Sequence, residues 1–514
     1  MKNIYFKMST KFQKSLSEIF SNKKFIFIFS IILFLFGQYS LNHFPTGFFE
    51  DDSYFYYTTA YNSLINGFIT FDGINSTNGF HPLWMIILIT IGLPLKFIGV
   101  TNPFIFGTIF NGISTLVWFY VLSKFKSIWS QILAASFSLM TGFGMEGALA
   151  GLIIIEIFEC YFKKNPTRKY WLFLPLILTR IDLSLTAIIL ALKETKLKSL
   201  KELKPFLIIV IGILLTLIFN FIVDGYPFSV SSLVKTEDIG FNNFILNLTQ
   251  GLGNQCRYLL IFVVSSIFLY LISISKRESK SLDIKFPDFK TNLYLFASSS
   301  SFLIFHTFLG STRDWYFAPT GISLIFLLDK YINKKNFNKK KMIIFILIII
   351  TSIEFTAAST YFYKERKNSL LASDFVNRSK DIIPDKSKIF IVDGSGYLSW
   401  AFLPEINVIN GDGLVNSISF YKMILKRRVD LFVDYIKRNK IQYYITNGAF
   451  EHCLGNHYIY GKCDQFKNNQ DIKISKEYIN GSLFEIINGE EIIESTSKRR
   501  FMRYRLFKYP DSIF

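Results

Sequence analysis

Runs of 17–21 mostly apolar residues recur along this chain, at 25–42, 104–122, 205–223, 258–275, 316–333 and 342–360. No other feature restricts the fold as much. A bilayer's hydrocarbon core is about 30 Å thick, and a helix of about 20 apolar residues crosses it. In lipid the backbone must satisfy its own polar groups, so these runs are helices. The 514 residues would otherwise suggest about three soluble domains. The first run follows Lys23-Lys24 and has no small-residue cleavage site after it, so it reads as an anchor and not as a cleaved signal peptide.

The net charge of +19 would fit nucleic acid if it lay on one face, but its distribution argues against that partner. Residues 1–24 carry six Lys and one acid, 193–204 five Lys and two Glu, and 330–341 six Lys and no acid. Segment 43–82 carries four acids and no Lys or Arg. Basic segments stay in the cytoplasm, which places 43–82 outside.

In the middle of the chain 83–99, 104–122, 129–145, 147–162 and 171–192 are all apolar enough to span or re-enter. Strict alternation over eleven spans puts the basic "SKFKS" (123–127) and "KKNPTRK" (163–169) outside, against their charge. A shallow or re-entrant 83–99 and a hairpin at 171–192 remove the conflict and bring "GFGMEG" (142–147) and "TRID" (179–182) to the outer face. Both topologies stay open. The expected fold class is an all-α polytopic membrane bundle of about ten to twelve transmembrane helices, with a C-terminal extracytoplasmic α/β domain. The expected division is a cytoplasmic segment 1–24, a membrane domain 25–360 with outer loop 43–82, and a soluble domain 361–514. In that last part 388–394, 441–447 and 482–487 read as strands and 429–440 as an amphipathic helix. Cys160 reads as packing within a span, and Cys453 with Cys463 could form a disulfide if the tail is outside.

No phosphate loop, dinucleotide glycine pattern, HExxH or CxxC pair is present. None of the five histidines forms a close metal-ligand pair on a helix. What remains is a set of polar residues converging on the outer face. Asp51 and Asp52 sit in "FFEDDSYFYY" (48–57), and 51–66 reads as an aromatic helix lying at the membrane interface. A carboxylate pair can take a proton from a hydroxyl or hold a hard divalent ion such as Mg or Mn, and it can equally be a solvated acidic stripe. Asn78 and His81 in "NGFHPLW" (78–84) could hold a substrate hydroxyl or phosphate, or simply open the next helix at Pro82. Glu146, Arg180 and Asp182 lie in apolar surroundings, where ionisable groups are costly and are functional candidates; a local Arg180–Asp182 pair is the plainer account. Lys235 and Arg313 are outer-loop cations that could grip a lipid phosphate, or ordinary surface charge.

"EDDSYFYYTTAYNSLINGFITFDGINSTNGFHPLW" (50–84) resembles the first outer loop of bacterial integral-membrane glycosyltransferases of the GT-C superfamily, the group of the protein O-mannosyltransferases and lipid A aminoarabinose transferases. Within it the likeness is to a branch with an acid pair, an aromatic helix and "DGINPTNGFHPLW"; Ser76 stands here where that branch has Pro. Weaker echoes are "GMEGAL" (144–149), "LTRIDLSL" (178–185), "YPFSVSSLVKT" (226–236), "RDWYFAP" (313–319) with Tyr316, and "VINGDGLVNS" (408–417) with Asp412. The resemblance implies an enzyme in the bacterial cytoplasmic membrane with its active site outside. It would move a sugar from a polyprenyl-phosphate donor to a glycan, lipid or protein of the envelope. It implies Asp51 as the general base, Asp52 as its neighbour on the acceptor or an ion, and Arg180, Lys235 or Arg313 stabilising the leaving phosphate. Two other classes remain: a transporter or flippase of lipid-linked saccharides, and a non-catalytic envelope assembly protein.

Overall fold

A computed structural model of the chain describes residues 22–43, 49, 51–140, 143–163, 166–194, 203–235, 252–278, 288–309, 313–332, 356, 372–391, 395–411, 413–425, 429–447, 490–496 and 503–508. Asp412, Cys453, Cys463 and the expected strand 482–487 lie outside these residues, as does the apolar run 342–360 apart from residue 356. Among the described residues three helices are long and apolar enough to cross a membrane: Lys23–Asn42, Pro103–Ser123 and Lys204–Asp224. Their outer faces expose Phe27, Leu35, Leu116, Leu207, Ile218 and Phe221, apolar surface that suits lipid and not water. Pro82–Phe97, Ile128–Phe137, Lys169–Thr179 and Arg257–Tyr270 are shorter apolar helices.

Contacts between distant segments give each helix a direction. Gln38 donates to Thr108 Oγ1 (2.7 Å) and Asn111 donates to the Phe34 carbonyl (2.9 Å). Asn22–His43 and Pro103–Ser123 are therefore antiparallel, and Lys23 and Lys24 share an end with Lys124. At that basic end Lys124 pairs with Glu156, Lys330 lies 3.7 Å from Glu159, and Asp329 accepts from the amides of Lys126 and Ser127 (2.9 and 2.8 Å). The opposite end gathers Phe49, Asp51, the 67–81 loop, the 143–146 turn, Arg180–Leu183 and Asp314–Tyr316.

This arrangement decides between the two topologies. Pro82–Phe97 does not run between the ends. It starts at His81 and stays near the same end, where the Tyr61 hydroxyl donates to the Thr101 carbonyl (2.7 Å) just beyond it. Residues 123–127 therefore return to the end of Lys23 and Lys24, and strict alternation does not hold. Likewise Lys169 and Lys193 both stand over the Tyr161 ring (4.1 and 4.8 Å), so 166–194 is a hairpin. Its tip is Arg180–Leu183, where Arg180 is extended (φ −158°, ψ 121°) and breaks the helix. Ile128–Met140 also links the ends although its 13 residues rise only about 20 Å.

Asp51–Asn66 departs from the interfacial helix expected of its tyrosines. Every residue from Ser53 to Leu64 is buried. Pro82–Phe97 and Pro103–Ser123 cover it from the membrane unit, and Ser395–Phe402 covers it from the C-terminal part. Tyrosine hydroxyls that would have met water meet protein: Tyr57 bonds Ser114 (2.9 Å) and Tyr61 bonds the Thr101 carbonyl.

The C-terminal part forms a five-stranded sheet of order β2-β1-β3-β5-β4, with β1 Lys388–Ile391, β2 Asn407–Asn410, β3 Ile441–Asn447, β4 Glu490–Thr496 and β5 Arg503–Lys508. β1 pairs in parallel with β2 and β3, while β5 runs antiparallel to β3 and β4. Ser395–Phe402 makes the β1–β2 crossover and Val429–Asn439 leads into β3, as its amphipathic pattern predicts.

Candidate active site

The sequence builds the site end from loops that its own side chains hold. Asp72 is buried, and its carboxylate accepts from the amides of Ile74 and Asn75 (both 2.8 Å) and from Asn75 Nδ2 (2.9 Å), closing the turn after the aromatic helix. Burial pushes the Asp72 carboxyl above its usual range even though these donors pull it down. Asn78 is fully buried and bonds backbone only. It donates to the carbonyls of Tyr226 and Phe228 (both 3.1 Å) and accepts from the Val230 amide (2.9 Å). It fastens the loop to the end of Lys204–Asp224. The 143–146 turn needs Gly144 in the left-handed region (φ +93°), and Trp84 Nε1 donates to the Gly144 carbonyl (2.9 Å). That turn delivers Glu146 to the centre.

Around Glu146 the structure brings together four residues from the sequence set. Arg180 Nη1 donates to Glu146 Oε1 (2.7 Å), and its Nε and Nη2 hold Asp182 Oδ1 and Oδ2 (3.1 and 2.8 Å). The local Arg180–Asp182 pair exists, and the longer bridge to Glu146 exists beside it. His81 Nε2 lies 3.5 Å from Glu146 Oε1. Tyr316 covers one face of the guanidinium (4.8 Å) and Phe302 another (5.0 Å). Side-chain exposure is 0% for Glu146 and 4% for Arg180, against 23% for His81, so the histidine is the part of this chain that meets the open space. Burial penalises the Glu146 carboxylate, but the charges of His81 and Arg180 outweigh it and hold the group below its usual range.

Sequence reasoning did not single out His306. It bonds Asp182 Oδ2 (2.6 Å) and stacks on Tyr316 at 4.2 Å. The signal was available: His306 is the one ionisable residue in the apolar run "SFLIFHTFL". Arg257 was also passed over, a buried cation 5.9 Å from the Phe317 ring.

The two aspartates separate. Asp51 Oδ1 accepts from the Tyr397 amide (2.9 Å) and Oδ2 from the Gly396 amide (3.1 Å), the first amides of Ser395–Phe402. A carboxylate at a helix N-terminus satisfies unpaired donors and meets the positive end of the dipole. Asp224 does the same for Ile418–Leu425, accepting from the Ile418 amide (2.7 Å). With Thr77 donating to the Asn416 carbonyl (3.1 Å), these contacts seat the C-terminal part on the 67–81 loop and the ends of the helices beside it. Gly79 permits the close approach, since a Cβ there would stand 1.9 Å from the Leu414 carbonyl oxygen. Asp52 instead lines a cleft with Tyr56, His81, Ser231, Trp315 and Tyr316, which Leu414 and Val415 close from the domain side.

Arg313 is exposed and does not line this cleft. Lys235 ends the short helix Val230–Lys235, and its side chain lies outside the described residues, as does Asp412. Among the described residues no group of three or more His, Cys, Asp or Glu could hold a metal ion, and both oxygens of Asp51 accept from amides of Ser395–Phe402.

No family model and no curated protein matches the chain. Among solved structures it is similar to the archaeal oligosaccharyltransferase AglB from Archaeoglobus fulgidus, in complex with an inhibitory peptide and a dolichol-phosphate. That match has a TM-score of 0.43 and 9% identity, over 92% of this chain and 73% of that one. It is also similar to the arabinofuranosyltransferase AftD from Mycobacteria, with a TM-score of 0.42 and 10% identity over 96% of this chain and 40% of that one. Scores and identities of this size carry nothing about activity.

Proposed function

We propose that the chain is a membrane glycosyltransferase that moves a sugar from a polyprenyl-phosphate-linked donor to an acceptor of the cell envelope, with Asp52 as the general base. The observation that carries this reading is the division of labour between adjacent acids: Asp51 serves a helix terminus and Asp52 faces the cleft. The cleft opens at the end of an apolar helical bundle, where a lipid-borne donor and a water-borne acceptor can meet. That end is the one opposite Lys23, Lys24, Lys124 and Lys330, and this charge asymmetry supports a site on the outer face of the cytoplasmic membrane.

In the reaction Asp52 takes the proton of an acceptor hydroxyl as its oxygen attacks the anomeric carbon. The bond from that carbon to the phosphate oxygen breaks, and the electron pair leaves with the polyprenyl phosphate. General-base catalysis contributes about 10²–10⁴-fold. Asp52→Asn is therefore expected to lower the transfer rate from a polyprenyl-phosphate sugar by that factor in purified protein of unchanged stability, and Asp51→Asn by far less. Wild-type rates in Asp52→Asn would make the base assignment wrong. Wild-type protein that transfers no sugar but carries lipid-linked sugar across vesicles would be a transporter.

A further inference from the structure

A lipid phosphate leaving as its diester bond breaks gains a negative charge, and a cation facing it lowers the barrier. Arg180 is the obvious cation in sequence, yet the structure spends it elsewhere. It is buried, it does not line the cleft, and Glu146 and Asp182 together bring two carboxylates to its single charge. We propose that His81, backed by Glu146, is the group that faces the donor phosphate, and that Arg180 is a positioning residue for Glu146. The inference rests on the glycosyltransferase reading and names the phosphate partner of its site.

Three features of the geometry support it. His81 lines the cleft shared with Asp52, so it lies on the same open space as the general base. Its Nε2 lies at ion-pair distance from a carboxylate with no exposed surface, which holds the ring against Glu146 while the side chain keeps 23% exposure toward the cleft. Its backbone is held as well, because the His81 amide donates to the Tyr56 hydroxyl (3.3 Å) and Pro82 begins the next helix. The titratable and charged groups around the ring are Asp52 and Tyr56 on Asp51–Asn66, Glu146 on its turn with Arg180 behind it, and Tyr316 across the cleft. In the step the imidazolium donates a hydrogen bond to the phosphate oxygen as the carbon–oxygen bond breaks, while Asp52 holds the acceptor proton. No further reactant is needed.

The test pairs transfer with binding. Undecaprenyl phosphate is titrated into purified wild type, His81→Gln, His81→Arg and Glu146→Gln in detergent across the pH range of histidine titration, near 6.5 for a free side chain. The expected result is wild-type binding that weakens as pH rises, roughly tenfold or more weaker binding in His81→Gln, and binding in His81→Arg that no longer varies over that range. Glu146→Gln should move the wild-type profile to lower pH, a change that loss of packing alone would not give. In the transfer assay His81→Gln should lose about 10²-fold in kcat. Equal, pH-independent binding by wild type and His81→Gln overturns the proposal. The binding experiment decides it even if no sugar transfer is found, which would remove only the glycosyltransferase reading.

Discussion

The two ends of the helical bundle both gather charge, and they do it differently. At the basic end Lys124–Glu156 is partly exposed on both sides, Lys163 is 71% exposed beside Glu159, and Lys330 stands within reach of the same glutamate. At the site end Glu146 and Arg180 are shielded almost completely and Asp182 is half-buried, and acids outnumber the arginine unless a histidine carries charge. Exposed pairs in high dielectric contribute little, while each buried partner depends on the other for its solvation. Charge at the basic end therefore contributes little to stability, and charge at the site end holds one geometry in place.

Removing the arginine is the strongest way to break this comparison. Arg180→Met leaves Glu146 fully buried and Asp182 half-buried without their arginine, and the expected loss is about 3–5 kcal/mol of stability. Lys124→Met at the other end should cost less than about 1 kcal/mol, because Glu156 can turn to water. Denaturant or thermal unfolding in detergent measures both. Equal losses would mean that the two clusters do the same job.

A middle-sized effect is expected where a carboxylate serves backbone amides. Asp329 has no exposed surface and accepts the amides that open Ile128–Met140, so Asp329→Ala should cost about 1–3 kcal/mol. Asp51→Asn at the site end replaces one acceptor with a donor facing another N–H, and a similar loss is expected, confined to docking of the C-terminal domain. Limited proteolysis checks the difference: faster release of the 372–447 region in Asp51→Asn, with the membrane unit intact, is the expected pattern. An unchanged digestion rate would remove Asp51 from the docking role.

Much of this was legible in the sequence and the rest was not for physical reasons. Apolar length gave the long helices directly, because 104–122 and 205–223 must bury or meet lipid whatever surrounds them. The charge conflict at 123–127 pointed to a shallow 83–99 and a hairpin at 171–192, and the contacts of Tyr61 and Tyr161 resolve it that way. Glu146, Arg180 and Asp182 were legible because ionisable groups in apolar surroundings need a purpose. What each carboxylate does was not. Asp51 and Asp52 are adjacent and chemically identical, and only the arrival of Gly396 and Tyr397, distant in sequence, separates them. Asn78 likewise reads as a ligand-binding amide until three backbone groups of the distant segment 226–230 consume it. His306 was missed because a single histidine on an apolar helix has no local partner to announce it, and Asp182 reaches it only through the hairpin tip.

The smallest effect sharpens the comparison most finely. Lys163→Ala removes a cation four residues from Glu159 on the same helix, with a 2.7 Å contact as close as the one between Arg180 and Glu146. Distance alone would rank the two contacts equally. Exposure does not: Lys163 is 71% exposed, and Glu159 keeps Lys330 at 3.7 Å. The expected loss is about 0.3–0.5 kcal/mol, shrinking further as salt screens the pair. Measured beside Arg180→Met in one unfolding series, the ratio of the two losses isolates burial from geometry, since the N–O distances match and only the surroundings differ. A loss above about 2 kcal/mol for Lys163→Ala would exceed what exposed pairs give and place the basic end in the same class as the site.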